Sequence, residues 1–341
     1  MLSFLSDYTE GAHPKLMQRL SETNMVTVPG YGEDKYCLAS KEKIKKFCGR
    51  DDLQIQYLTG GTQTNLIVIS TMLKRYEAVM AAETGHINVH EAGAVEYTGH
   101  KVLTLPSREG KVDADDLKKY LERFYGDGTH EHMSCPGMLY ISHPTELGTL
   151  YSRDELTKLS RVCRSYDIPL YMDGARLGYA LVSDGTDVSI EDICRLCDVF
   201  YIGGTKVGAL CGEAVVFTRN NMPKGFTTMT KQQGAMLAKG RLLGVQFDAL
   251  FTDNLYLEIS RQAIKTAMRL KEAFIAKGYT LYADSPTNQQ FVIMSPEQYE
   301  KLSKKAAFEV WERIDSRHIA VRFVTSWATK DEDADELISY L

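Results

Sequence analysis

Seven short apolar runs alternate with helical patterns through the middle of this chain, and that alternation restricts the fold more than any other feature. The runs are Gln54–Leu58, Ala78–Ala82, Lys101–Leu105, Gly137–Ser142, Pro169–Asp173, Val199–Gly203 and Glu213–Thr218. Between them lie helix candidates at Gln63–Tyr76, Asp113–Phe124, Ser152–Tyr166 and Ser189–Cys194. Ser152-Arg-Asp-Glu155 has the spacing of a capping box, and Ser189-Ile-Glu-Asp192 approximates one. Strands that are apolar on both faces and separated by helices pair mainly in parallel beneath two helical layers. The expectation is therefore an α/β fold with a mainly parallel, seven-stranded sheet covered by helices.

From about Asn254 the pattern changes. A long helix candidate, Asn254–Lys277, stops at Gly278, a suitable C-terminal cap. Strand candidates Thr280–Ala283, Gln289–Ser295 and Ala320–Ser326 follow, with a helix at Pro296–Lys305 and a short final helix. The chain thus reads as a large domain over residues 1–253 and a smaller α+β domain over residues 254–341.

The 341 residues, 44% of them hydrophobic, suffice for a core of that size. A net charge of −5 gives no reason to expect nucleic acid as a partner, and the Lys41–Lys46 cluster reads as a solvated helix face. Seven scattered cysteines suit reduced thiols in a cytoplasmic protein. Cys194-Arg-Leu-Cys197 has no second pair and reads as two packed thiols. His130-Glu-His132 with Cys135 lies among glycines and a proline, so it reads as an exposed loop and no metal is expected. The first residues lack a signal-like pattern, and no window reaches the ~18 apolar residues of a membrane span, so a soluble protein without a membrane partner is expected.

Chemistry enters where two of the apolar runs end. Pro169-Leu-Tyr-Met-Asp173-Gly-Ala-Arg176 ends in an acid, and Val199–Gly203 is followed by Gly204-Thr205-Lys206-Val-Gly. Taken singly, Asp173 is a helix N-cap and Lys206 a loop lysine. A third element, Tyr57-Leu-Thr-Gly60-Gly61-Thr62-Gln63, joins a strand to a helix, where free amides and the helix dipole suit a phosphate. It lacks the spacing of a dinucleotide site, which disfavours a nicotinamide enzyme. A lysine, an acid and a phosphate cradle at strand ends are together what pyridoxal 5'-phosphate requires. The amine forms a Schiff base with the aldehyde, and the carboxylate keeps the pyridine nitrogen protonated. His86, in His86-Ile-Asn-Val-His-Glu91-Ala-Gly93, could stack on such a ring or move protons, whereas His90 and His100 read as structural.

Asp173-Gly-Ala-Arg176, Gly61-Thr62-Gln63, His86 five residues before Glu91-Ala-Gly, Tyr31-Gly-Glu-Asp34 and Lys206 in Thr-Lys-Val-Gly share an order and spacing. In these, nearly the whole chain resembles the threonine aldolases, which stand with the β-eliminating lyases among pyridoxal phosphate enzymes of fold-type I. The resemblance implies that Lys206 carries the Schiff base, Asp173 pairs with the pyridine nitrogen, Gly61 and Thr62 bind the phosphate and His86 stacks on the ring. Lys231 would reach the phosphate from a neighbouring subunit. Arg322, Arg176 and Ser6 would hold the substrate carboxylate and the ring oxygen, and Tyr31 would line the pocket. Taken alone, Arg322 in Ala-Val-Arg322-Phe-Val reads as an edge-strand charge, but an arginine directed inward from so apolar a run needs an anion, and a carboxylate matches its planar fork.

One stretch departs from the family pattern. Many threonine aldolases have Asn-Thr-His-Asn where this chain has Ser142-His-Pro-Thr-Glu146-Leu-Gly148, so Glu146 takes the histidine's place. The implied reaction is retro-aldol cleavage of L-threonine, L-allo-threonine or a related β-hydroxy-α-amino acid to glycine and an aldehyde. Its base would be Glu146, His86 or a bound water. β-Elimination and transamination need the same cofactor anchors and remain as alternatives, as does a non-catalytic binder of the cofactor. The family also implies a homodimer or homotetramer with its active site between subunits.

Overall fold

The computed structural model describes residues 1–341. Its large sheet contains β1 (Gln54–Leu58), β2 (Glu77–Ala82), β3 (Val102–Leu105), β4 (Cys135–Ser142), β5 (Leu170–Asp173), β6 (Val199–Gly203) and β7 (Glu213–Phe217). The strand order is β1-β7-β6-β5-β4-β2-β3. All neighbours are parallel except at β7, which is antiparallel to β1 and to β6. The link from β6 to β7 holds no helix, so the chain reverses there instead of crossing over. That reversal carries Lys206.

Side chains alternate across the sheet, and both sets are buried. Leu139, Ile141, Leu170, Met172, Phe200 and Ile202 face one core, while Met138, Tyr140, Tyr171, Val199 and Tyr201 face another. Each such side chain contributes about 1.5–3 kcal/mol by leaving water. Caps set the helix starts. Asp113 accepts from the amides of Asp115 and Asp116, and Ser152 and Ser189 form full capping boxes with Glu155 and Asp192.

Helices α1 (Pro14–Thr23), α2 (Lys35–Phe47) and α3 (Gly61–Met72) precede or follow β1. The α3 helix ends four residues before the expected Tyr76, because Glu77 folds back to accept the Lys74 amide at 2.7 Å in a competing turn. The lysine cluster on α2 is less free than a solvated face: Lys43 pairs with Asp248 at 2.6 Å, and Lys45 with Glu42 at 2.8 Å.

A second sheet is antiparallel and contains β8 (Thr280–Ala283), β9 (Gln289–Met294), β10 (Glu309–Arg313) and β11 (Ile319–Val324), in the order β8-β9-β11-β10. The helix Leu255–Ala276 ties the two sheets together. Ile259 and Ala263 lie in the large core, and Leu270 and Phe274 lie in the small one. The start of the chain is also built into the small sheet. Leu2 and Ser3 pair with Ala306 and Ala307, Phe4 is buried in the small core, and its carbonyl accepts from the Val324 amide at 2.9 Å. Ser6, Asp7 and Tyr8 are thereby delivered toward the end of the large sheet. All seven cysteines are free thiols, and no helix is long and apolar enough to cross a membrane.

Candidate active site

Two glycines bring Lys206 and Asp173 to one rim. The turns after β5 and β6 touch backbone to backbone, with the Gly203 amide 2.9 Å from the Gly174 carbonyl. A Cβ at Gly203 would lie 2.2 Å from the Ala175 oxygen, and one at Gly174 would lie 1.9 Å from the Tyr201 oxygen. No larger residue fits at either position without moving a strand. Beyond Gly203 the reversal is laced to itself: the Thr205 amide donates to the Gly212 carbonyl at 3.1 Å, and the Gly212 amide donates to Thr205 Oγ1 at 3.0 Å. The Tyr179 hydroxyl donates to the Lys206 carbonyl at 2.6 Å. Burial pushes the Lys206 amine below the usual lysine range and so favours its neutral, nucleophilic form.

Asp173 is buried yet surrounded by donors. Its Oδ2 accepts from the Tyr140 hydroxyl at 2.6 Å and the Asn65 amide at 3.1 Å. Its Oδ1 accepts from the Tyr201 hydroxyl at 2.5 Å and the Ala175 amide at 3.0 Å. Burial alone would raise its pKa, but attraction to His86 and these donated hydrogen bonds outweigh it and hold the carboxyl below the usual range. Asn65 is itself oriented, since its Oδ1 accepts from Tyr171 at 2.7 Å and its amide also donates to Glu91 at 2.7 Å.

His86 opens a short helical turn after β2. Its Nδ1 lies 2.8 Å from Glu91 Oε1, and its amide donates to Glu146 Oε1 at 3.0 Å. The same Glu146 oxygen accepts from the Ser142 hydroxyl at 2.5 Å, and burial raises the Glu146 pKa. At the start of α3, Gly60 provides no side-chain cap, so the first amides of the helix are left for another acceptor. A Cβ at Gly61 would come within 3.2 Å of the Tyr201 hydroxyl, and Thr64 Oγ1 is buried without a partner.

Gly61, Thr62, His86, Glu146, Asp173 and Arg176 line one cavity of about 310 Å³ together with Lys206. Arg176 is held by Asp7 through two bonds, of 2.7 and 3.0 Å, and Asp7 also accepts from Asn288 at 2.9 Å. Arg322 lies on β11, bonded to Gln289 Oε1 at 2.9 Å, paired with Glu309 and stacked over Trp311. Several buried polar atoms near this end have no partner, among them Ser6 Oγ and Arg322 Nε. The structure does not bring Tyr31 or Lys231 into the cavity of their own chain. Tyr31 belongs to a separate small depression beside Tyr57 and Phe226, and Lys231 Nζ lies 4.6 Å from its ring centre.

Tyr8, His90, Tyr201 and Glu213 are among the wall residues that carried no catalytic or binding role in the sequence. The Tyr8 ring lies 5.8 Å from Lys206 Nζ. Glu213 begins β7 opposite Gly203 and accepts from Thr205 Oγ1 at 2.7 Å and the Gly204 amide at 3.1 Å. Burial pushes its carboxyl up to about 8, against the opposing pull of Lys206. Tyr201 had a readable signal, since it precedes Gly203 by two residues and faces the same side. Glu213 had none beyond an acid at the head of an apolar run.

The β-eliminating lyase family profile matches residues 3–297. A low-specificity L-threonine aldolase from a Pseudomonas species is 28% identical over 339 residues, covering 98% of this chain and 95% of that protein. The structure of Leishmania major threonine aldolase superposes with a TM-score of 0.96 at 38% identity, covering 99% of this chain and 98% of that one. Aspartate aminotransferase from Thermus thermophilus shares the fold, with a TM-score of 0.71 at 14% identity over 100% of this chain and 90% of that one. The architecture is thus that of fold-type I, and the chain belongs to the β-eliminating lyase family, among its threonine aldolases.

Proposed function

We propose that this chain cleaves L-threonine, L-allo-threonine or a related β-hydroxy-α-amino acid to glycine and an aldehyde. The observation that carries the reading is the meeting of buried Lys206, ionised Asp173 and the uncapped start of α3 on one cavity, with Arg176 in its wall.

Threonine aldolases and their fold relatives use pyridoxal phosphate, and the residues here fit it. Lys206 would hold the aldehyde carbon, Asp173 the pyridine nitrogen, and Gly61 and Thr62 the phosphate, while His86 would stack on the ring. When bound, the cofactor supplies a sink for the electron pair left at the α carbon. The protein does the rest. Burial makes the Lys206 amine readier to give up its proton and exchange with the substrate amine, and a carboxylate at Asp173 keeps its neighbour protonated. Glu146 and Glu91 fix the backbone and ring of His86. Ser6, Arg176 and Arg322 would receive the substrate carboxylate, and the unpartnered Ser6 Oγ and Arg322 Nε suit that task. Holding the carboxylate decides which bond at the α carbon is presented for cleavage.

Tyr31 and Lys231 lie outside their own chain's cavity, which supports a homodimer or homotetramer in which they serve a neighbouring site. The free thiols support a cytoplasmic setting. We place the domain boundary at 253/254, at the start of the helix that both cores share. The test is acetaldehyde release from L-threonine, coupled to alcohol dehydrogenase, by wild type and Lys206→Ala. Release by the wild type alone is expected, and equal release by both would remove Lys206 from the chemistry.

A further inference from the structure

We propose that His90 is the base that takes the β-hydroxyl proton, an assignment that rests on the aldolase reading above. The cavity wall offers several proton acceptors, and most are already committed. Asp173 accepts four hydrogen bonds. His86 Nδ1 faces Glu91 at 2.8 Å, and the reading above gives its ring to stacking on the cofactor. Glu146 Oε1 accepts from both Ser142 and the His86 amide, and burial favours its protonated form. Glu213 is engaged by Thr205 and Gly204, and its carboxyl is likewise pushed up by burial.

His90 is different. It ends the helical turn that His86 begins, with its amide donating to the His86 carbonyl at 2.9 Å. Residues four apart share a helix face, so both rings look into the same cavity. The His90 ring centre is 5.6 Å from that of His86 and 6.0 Å from that of Trp311, and no carboxylate ties it as Glu91 ties His86. Part of the residue stays open to solvent, so a proton it takes can leave to water. Partial burial, with His86, Arg322 and Lys206 nearby, lowers its pKa, and Glu309 opposes this more weakly. The ring is therefore neutral at pH 7, with a lone pair to offer.

The step balances without an added reactant. The hydroxyl proton passes to a His90 ring nitrogen, and the O–H pair becomes the second bond of the aldehyde carbonyl. The Cα–Cβ pair stays at the α carbon, which then takes a proton to become glycine.

The experiment compares His90→Asn with wild type in two reactions of the cofactor-loaded protein. Acetaldehyde release from L-threonine needs the base, whereas exchange of glycine α-hydrogens with deuterated water involves no β-hydroxyl. The expected result is a loss of about 10²- to 10⁴-fold in cleavage, with glycine exchange within about threefold of wild type. The acid limb of the wild-type kcat/KM profile should also be absent from the variant. Cleavage at the wild-type rate, or an equal loss in both reactions, would overturn the assignment. Failure of the wild type itself to release acetaldehyde while still exchanging glycine would instead sink the aldolase reading on which it rests.

Discussion

Tyr140 on β4 donates a 2.6 Å hydrogen bond to Asp173 on the adjacent β5, and both groups are buried. A carboxylate out of water keeps its charge only if donors replace the solvent. Tyr140, Tyr201, Asn65 and the Ala175 amide do so here. Replacing Tyr140 with Phe removes one charge-assisted bond, worth about 1.5–3 kcal/mol. Cofactor affinity, titrated by absorbance into the cofactor-free protein, should weaken by about 10- to 100-fold. Unchanged affinity would show that the other donors suffice.

Asp7 and Arg176 form a buried pair that ties the start of the chain to the turn after β5. Burial opposes the Asp7 charge, but Arg176 and Lys206 more than offset it and depress its pKa. A depressed carboxylate stabilises the fold above its unfolded pKa and loses that contribution as pH falls through the folded value. Acid sensitivity attributable to this pair should therefore appear below about pH 4. Asp7→Ala leaves Arg176 buried and unpaired, so urea denaturation at pH 7 should show a loss of about 3–5 kcal/mol. The difference from wild type should shrink below pH 4.

Glu213 has the opposite sign. Its folded pKa, about 8, lies above its unfolded value, so the folded state binds more protons between pH 4.5 and 8. Stability from this group is full below that window and declines as pH rises through it, by up to roughly 4–5 kcal/mol. Glu213→Gln keeps the acceptor for Thr205 and removes the titration. The cofactor-free variant should be more stable than wild type at pH 8 and similar at pH 4.5, by thermal melts across that range. Parallel melting curves for the two proteins would refute the assignment.

Arg322 has an unpartnered buried Nε beside its bonds to Gln289 and Glu309. With Arg322→Gln, kcat/KM for L-threonine should fall by about 100-fold, mostly through KM, because the carboxylate is bound before and during cleavage. A fall confined to kcat would place Arg322 elsewhere in the reaction.

The large sheet was legible because a strand buried on both faces leaves a continuous apolar run, and all seven runs lie in it. β10 was not. Glu309-Val-Trp-Glu-Arg313 is an edge strand interrupted by a bulge, and its charges hide the pattern. Lys206 and Asp173 stood out because the close approach at Gly174 and Gly203 admits only glycine, which marks the sequence. The donors to Asp173 did not stand out: Tyr140 in an apolar run looks like a packing residue until a strand neighbour is known, and the spacing of Tyr201 from Gly203 points at no partner until Asp173 is placed beside it. The shared cavity of His86 and His90 was hidden for a related reason. Only the turn beginning at His86 shows that the two imidazoles share a wall, and spacing without a helix assignment does not reveal it.

The most direct measurement is product identity from L-threonine and L-allo-threonine with the purified, cofactor-loaded protein, followed by proton NMR. Glycine and acetaldehyde in equal amounts are the expected products, and the ratio of rates reports the stereochemical preference. Formation of 2-oxobutanoate and ammonia instead would mean that this site eliminates, contradicting the retro-aldol reading while leaving the fold and its cofactor in place.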